Sequence, residues 1–169
     1  MNDWQHQRLQ YLTWDRTPQD IDSPEHRARQ AEFGERAGAQ FHPTAYVAAD
    51  AAIFTTRLVL GEQSWIAGHA LVRGEVTFGA HCTVNPHAMI SGKVTCGDGV
   101  RIASHVSLVG FNHGYDDPDT PIYRQKHETL GITIGDDVWI GANAVVVSEA
   151  ILNRVEALKG NLIPEGIHV

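Results

Sequence analysis

The side chains best equipped for chemistry lie in one stretch, Phe111-Asn112-His113-Gly114-Tyr115-Asp116-Asp117-Pro118. Gly, Asp and Pro punctuate the chain from Gly110 to Ile132, and no repeat runs through it. A loop of that length between ordered segments is usually functional. A histidine in such a loop suits general-base work, because a free imidazole titrates near ~6.5 and is mostly unprotonated at neutral pH. His113 is therefore the candidate base. Asp116 and Asp117 are candidates to orient its ring or to stabilise its cation, and the sequence does not choose between them.

Two further sets of residues have reactive side chains. His69, His87 and His105 recur every eighteen residues, and Asn143 falls in the same column. Stacked on successive coils of a solenoid, their rings would sit about 4.8 Å apart. Neutral imidazoles are metal ligands, but three on one straight column converge poorly on a tetrahedral ion. A column lining a subunit interface is the favoured reading, and lateral hydrogen bonding is another. Cys82 and Cys96 sit at inward repeat positions and read as small core residues rather than as a disulfide or a reactive thiolate.

The elements that must position these groups follow from a repeat. Ile66, Val72, Phe78, Val84, Ile90, Cys96, Ile102 and Leu108 are spaced six apart, and the run resumes at Ile134, Ile140 and Val146. The residue four places after the anchor is mostly small or β-branched: Ala70, Val76, Cys82, Ala88, Val94, Val100, Val106, Val138 and Ala144. A second period of eighteen is nested in the first, with Gly61, Gly79, Gly97 and Gly135 in one column and Gly74, Gly92 and Gly110 in another. Three hexads thus make one triangular coil. No coil can bury its apolar side alone, so coils must stack. The fold class is an all-β solenoid, a parallel β-helix of eighteen residues per coil.

The repeat begins at Phe41, with Val47 and Ile53 next and one extra residue before Leu60, which predicts a bulge near Thr55-Thr56-Arg57. Residues 41–149 form the solenoid, and the loop at 111–131 protrudes from it. Residues 1–40 are helical in pattern. Ser23-Pro24-Glu25 is a helix start, and Gly38 lies just past the helix end. This segment is expected to cover the first rung or to form part of an acceptor pocket. Residues 150–169 are an atypical cap in which Ala150 to Lys159 reads as a short amphipathic helix.

The net charge of −7, with no Lys/Arg cluster, argues against nucleic-acid and membrane-surface partners. No apolar run approaches the ~20 residues of a membrane span, and MNDWQHQRLQ lacks an apolar signal core. The expected location is cytoplasmic.

The rungs, the loop histidine and the motif ITIGDDVWIGANAVV together resemble the hexapeptide-repeat acyltransferases, nearest to the maltose, galactoside and xenobiotic O-acetyltransferases. The resemblance covers residues 41 to about 147. It implies a homotrimer of left-handed β-helices with active sites between subunits and acetyl-coenzyme A as co-substrate. No metal is expected. It gives His113 the role of base, removing the proton of a small hydroxylated or amino acceptor such as a sugar or an antibiotic. It places Asn85 at the acceptor, and Trp139 and Ala142 at the acyl donor.

Two other readings stand beside it. His69 and His105, 36 residues apart, resemble part of the ligand set of γ-class carbonic anhydrases, although the third ligand position falls on Gly110. After Val147 the further rungs that hold coenzyme A in such acyltransferases do not follow, and Arg154 and Lys159 are the only basic candidates for its phosphates. That departure suits a shortened enzyme or a non-catalytic trimeric scaffold.

Overall fold

The computed structural model describes residues 3–148. The helix expected at 150–159, with Arg154 and Lys159, lies outside them.

The hexads build a parallel solenoid of about four turns. Its strands are β1 (Ala39–Phe41), β2 (Tyr46–Val47), β3 (Ala52–Leu60), β4 (Trp65–Ile66), β5 (Leu71–Phe78), β6 (Thr83–Val84), β7 (Met89–Cys96), β8 (Arg101–Ile102), β9 (Ser107–Gly110), β10 (Asn112–His113), β11 (His127–Glu128), β12 (Ile132–Ile134), β13 (Trp139–Ile140) and β14 (Val145–Val147). One sheet runs β1-β3-β5-β7-β9-β14 with β12 joined to β7, and a second runs β13-β8-β6-β4-β2. Every pairing in both is parallel, and residues eighteen apart face each other, as Val72 does Ile90 and Ile90 does Leu108.

Each coil has three corners. Gln63, His81, Gly99 and Asp137 form the first, with φ of 51–71°. His69, His87, His105 and Asn143 form the second, with φ of 60–64°. The third is where the long strands bend, at Gly74 (φ 95°) and Gly92 (φ 90°), a conformation open to glycine alone at little cost. The short strands of the second sheet span the first and second corners. Their face therefore lies opposite the third corner.

The anchors fill the interior: Ile66, Val72, Phe78, Val84, Ile90, Ile102 and Leu108 are all buried. Full burial of such a side chain contributes roughly 1.5–3 kcal/mol. Cys82 and Cys96 are free thiols within this core, and burial pushes Cys96 up to about 12, so it stays protonated at neutral pH. The column of Gly61 and Gly79 answers to a different demand: a Cβ on Gly61 would stand 2.3 Å from the Gly79 carbonyl oxygen. The extra residue before Leu60 produces the expected irregularity, a register shift between Thr55 and Arg57.

Three α-helices precede the solenoid among the described residues: α1 (Asp3–Tyr11), α2 (Pro18–Ile21) and α3 (Pro24–Ala37). Ser23 accepts the His26 N–H at the start of α3, and Gly38 ends it in the left-handed conformation. Phe33 and Ala37 of α3 enter the solenoid core, so this helix plugs the end that would otherwise expose apolar side chains. His26 fixes the plug. Its Nδ1 lies 2.8 Å from the Ile21 carbonyl, its Nε2 accepts the Val47 N–H at 3.2 Å, and its ring stacks on Tyr46. Only the neutral ring can donate at one nitrogen and accept at the other. Desolvation accordingly holds His26 down at about 4. Gln10, at the end of α1, is buried and accepts the Asp50 N–H through Oε1.

Among the described residues no helix is long and apolar enough to cross a membrane.

Candidate functional site

The loop leaves the solenoid at the third corner, after Gly110, and the chain rejoins the coil at Ile132 beside Val94. Its two ends pair as an antiparallel hairpin, with Asn112 opposite Glu128 and His113 opposite His127. This pairing lifts His113 on a strand rather than on a free turn. Its exposed ring meets the ring of His127 edge-on at 4.3 Å, and Phe111 lies 6.4 Å from His113 and 5.4 Å from His127. Nothing in the local sequence announces this partner: His127 is fourteen residues downstream of His113, with no turn motif to reveal the pairing.

Asp117 serves the loop itself. Its carboxylate accepts the Asp119 N–H at 2.9 Å and the Thr120 hydroxyl at 2.6 Å. These hydrogen bonds, the hydroxyl's first, hold the group below the usual aspartate range. Asp117 thus closes the loop on itself, and the ring set against His113 is that of His127.

Under the hairpin lies a cleft of about 310 Å³ lined by Phe54, Arg73, Ser91, Phe111, His127 and Thr129, with Gly74 and Gly92 at its floor. Phe54, Arg73 and Ser91 are in register on β3, β5 and β7 and form one outward column. Arg73 Nε donates to Ser91 Oγ at 2.7 Å, and the guanidinium lies over the Phe111 ring, 5.6 Å from its centre. The repeat offered a signal for this pair, since Arg73 and Ser91 immediately precede the corner residues Gly74 and Gly92.

The remaining residues picked out by sequence lie elsewhere. Trp139 projects from β13 and is 77% exposed. Its neighbour in register is Arg101. Ala142 is exposed in the turn that follows, before Asn143 at the second corner. Asn85 is half-buried after β6, where its Nδ2 donates to the Ile102 carbonyl at 2.8 Å, tying one coil to the next. Asn85, Trp139 and Ala142 thus share the face and corner opposite His113. Within one chain the fold does not bring the two groups together.

The histidine column is real. His69 stacks on His87 at 5.3 Å and His87 on His105 at 5.0 Å, with planes within about 10°, and Tyr11 leans on His69 at 5.2 Å. Each of these residues turns the second corner with φ near 60°, a conformation in which His and Asn are enriched. Turn geometry thus accounts for the residue types, including Asn143. Parallel rings direct their nitrogens side by side rather than at one point, and among the described residues no group of three possible ligands could hold a metal ion.

The chain matches no protein-family model and no curated protein. Solved structures resemble it in fold. AntD, an N-acyltransferase from Bacillus cereus, in complex with dTDP and 3-hydroxybutyryl-CoA, superposes with a TM-score of 0.59 at 14% identity, covering 72% of this chain and 69% of that one. A single-residue variant of AntD with dTDP and coenzyme A gives 0.58 at 16% identity over 70% of this chain and 68% of that one. Another, with dTDP-4-amino-4,6-dideoxyglucose and coenzyme A, gives 0.56 at 16% identity over the same shares.

Proposed function

We propose that this protein is an acyl-coenzyme A-dependent acyltransferase, with acetyl-coenzyme A as donor, a small hydroxylated or amino acceptor, and His113 as general base. The observation that carries the reading is the His113–His127 pair, raised on a hairpin at the rim of an open cleft. The likeness in fold to an N-acyltransferase solved with coenzyme A, an acyl-coenzyme A and a nucleotide amino sugar supports it. So does the motif at 132–146, which resembles the same class of enzymes.

The chemistry asked of the chain is modest. An imidazole nitrogen of His113 takes the proton from the acceptor's O–H or N–H. The freed electron pair attacks the thioester carbonyl, the C–S bond breaks, and the proton passes to the departing thiolate. The products are an ester or amide and coenzyme A. A positioned base contributes about 10²–10⁴-fold to such a step. His127, edge-on to His113, limits the orientations available to the base.

Donor binding falls to the opposite face, where the exposed Trp139 and its neighbour Arg101 offer an indole and a cation. The separation of that face from His113 supports a homotrimer in which the third corner of one subunit meets the Trp139 face of the next. Left-handed coiling is part of the same reading.

The test is acyl transfer from acetyl-coenzyme A to a panel of hydroxylated and amino sugars, comparing the native chain with His113→Ala. Loss of transfer in a variant that remains folded supports the assignment. Retained transfer would sink it.

A further inference from the structure

The cleft beneath the hairpin carries the guanidinium of Arg73 beside the ring of His127. Among the described residues no Asp or Glu lines it, in a chain whose net charge is −7. Arg73 belongs to none of the ion pairs among the described residues, which join Arg8 to Asp15, Arg27 to Asp22 and Arg36 to Glu32. Its Nε is held by Ser91, itself only 1% exposed, and its plane is braced by Phe111. A guanidinium fixed at Nε and on one face keeps its terminal N–H groups as a pre-set fork. That fork matches the paired oxygens of a carboxylate or a phosphate.

We propose that this cleft is an oxyanion subsite, in which Arg73 grips a carboxylate or phosphate group of the acceptor while Phe54 and Phe111 flank the attached body. Arg73 is a binding residue here, and Ser91 positions it. The ring contacts run from Arg73 to Phe111, from Phe111 to His127 and from His127 to His113, so an acceptor held by its anion extends toward the His pair. The acceptor class is then a sugar acid or a phosphorylated or nucleotide-linked sugar rather than a neutral one. This assignment rests on the acyl-transfer reading only for the word acceptor; the anion site stands on the cleft alone.

The experiment is calorimetric titration of the full chain at low ionic strength with sodium pyrophosphate and, separately, sodium malonate. The native protein, Arg73→Gln and Arg73→Lys are compared, and circular dichroism confirms folding. At least one anion is expected to bind the native chain. Its affinity should fall at least tenfold in Arg73→Gln, with Arg73→Lys intermediate because it keeps the charge and loses the fork. Binding of pyrophosphate alone assigns a phosphorylated acceptor, and binding of malonate alone assigns a carboxylate. Equal affinity in the native chain and Arg73→Gln, or no binding of either anion, would overturn the subsite. No acyl transfer enters this measurement. Arg73-dependent binding without turnover would fault the enzymatic reading alone, and turnover with a neutral acceptor, insensitive to Arg73→Gln, would fault the subsite alone.

Discussion

Acidification should loosen the helical plug through one residue. His26 is 1% exposed and must be neutral to meet both Ile21 and Val47. Desolvation is the main cause of its lowered value of about 4, with the Ile21 carbonyl opposing and Arg29 and Arg27 adding to the fall. In the unfolded chain the same ring takes up a proton near ~6.5. Between these values the unfolded state binds the extra proton, so stability falls as pH falls. The contribution is complete above 6.5 and is lost progressively down to about 4. At ~1.4 kcal/mol per pH unit, the interval amounts to about 3 kcal/mol, a large part of the ~5–15 kcal/mol that holds a domain together. The assay is urea unfolding at a series of pH values between 7 and 4, for the native chain and for His26→Gln, which does not titrate. Carboxylates contribute alike to both, so the difference between the two curves isolates His26. The native chain should start more stable at pH 7 and converge on or fall below the variant by pH 4. Parallel curves would refute the assignment of a buried neutral imidazole.

Other outcomes follow from the same geometry. His113→Ala should lower turnover by about 10²–10⁴-fold while leaving thermal unfolding nearly unchanged, because the ring is exposed. Mixing His113→Ala with Trp139→Ala subunits under exchange should restore about one quarter of the native sites if the two residues come from neighbouring copies of a trimer. No recovery in a mixed trimer would contradict that pairing. Phe78→Ala should destabilise the chain by about 3–5 kcal/mol in denaturant unfolding, because the side chain is fully buried. Gly74→Ala should cost at least ~1–3 kcal/mol through its φ of 95°, and its Cβ would also meet the Gly92 oxygen at 2.4 Å.

The coil was legible because its rule is local and repeated. Each hexad states its own inward pair, and eighteen residues later the next coil states it again, down to the extra residue that shifts the register at Thr55–Arg57. The cap of α3 was equally plain, since Ser23, Pro24 and Gly38 act within a turn of their own position. The site was legible only in part. His113 stood out on its loop, but its partner His127 comes from the far end of that loop and is brought back by a hairpin of two residue pairs that no pattern marks. Arg73 and Ser91 lie in a periodic column whose sidedness could be read, yet the bond between them depends on a side-chain rotamer. The histidine column could be read from its period, but the left-handed corner geometry that also favours His and Asn at those positions could not. The separation of Asn85, Trp139 and Ala142 from His113 emerged once the corners were placed in space, because a linear motif does not say which face of a coil it occupies.

The most direct test of the account is calorimetric binding of acetyl-coenzyme A to the purified chain, with its mass in solution measured by light scattering. The account requires micromolar binding to a trimer, weakened by Trp139→Ala. A folded protein that binds no acetyl-coenzyme A would contradict the acyltransferase reading and leave the solenoid as a scaffold.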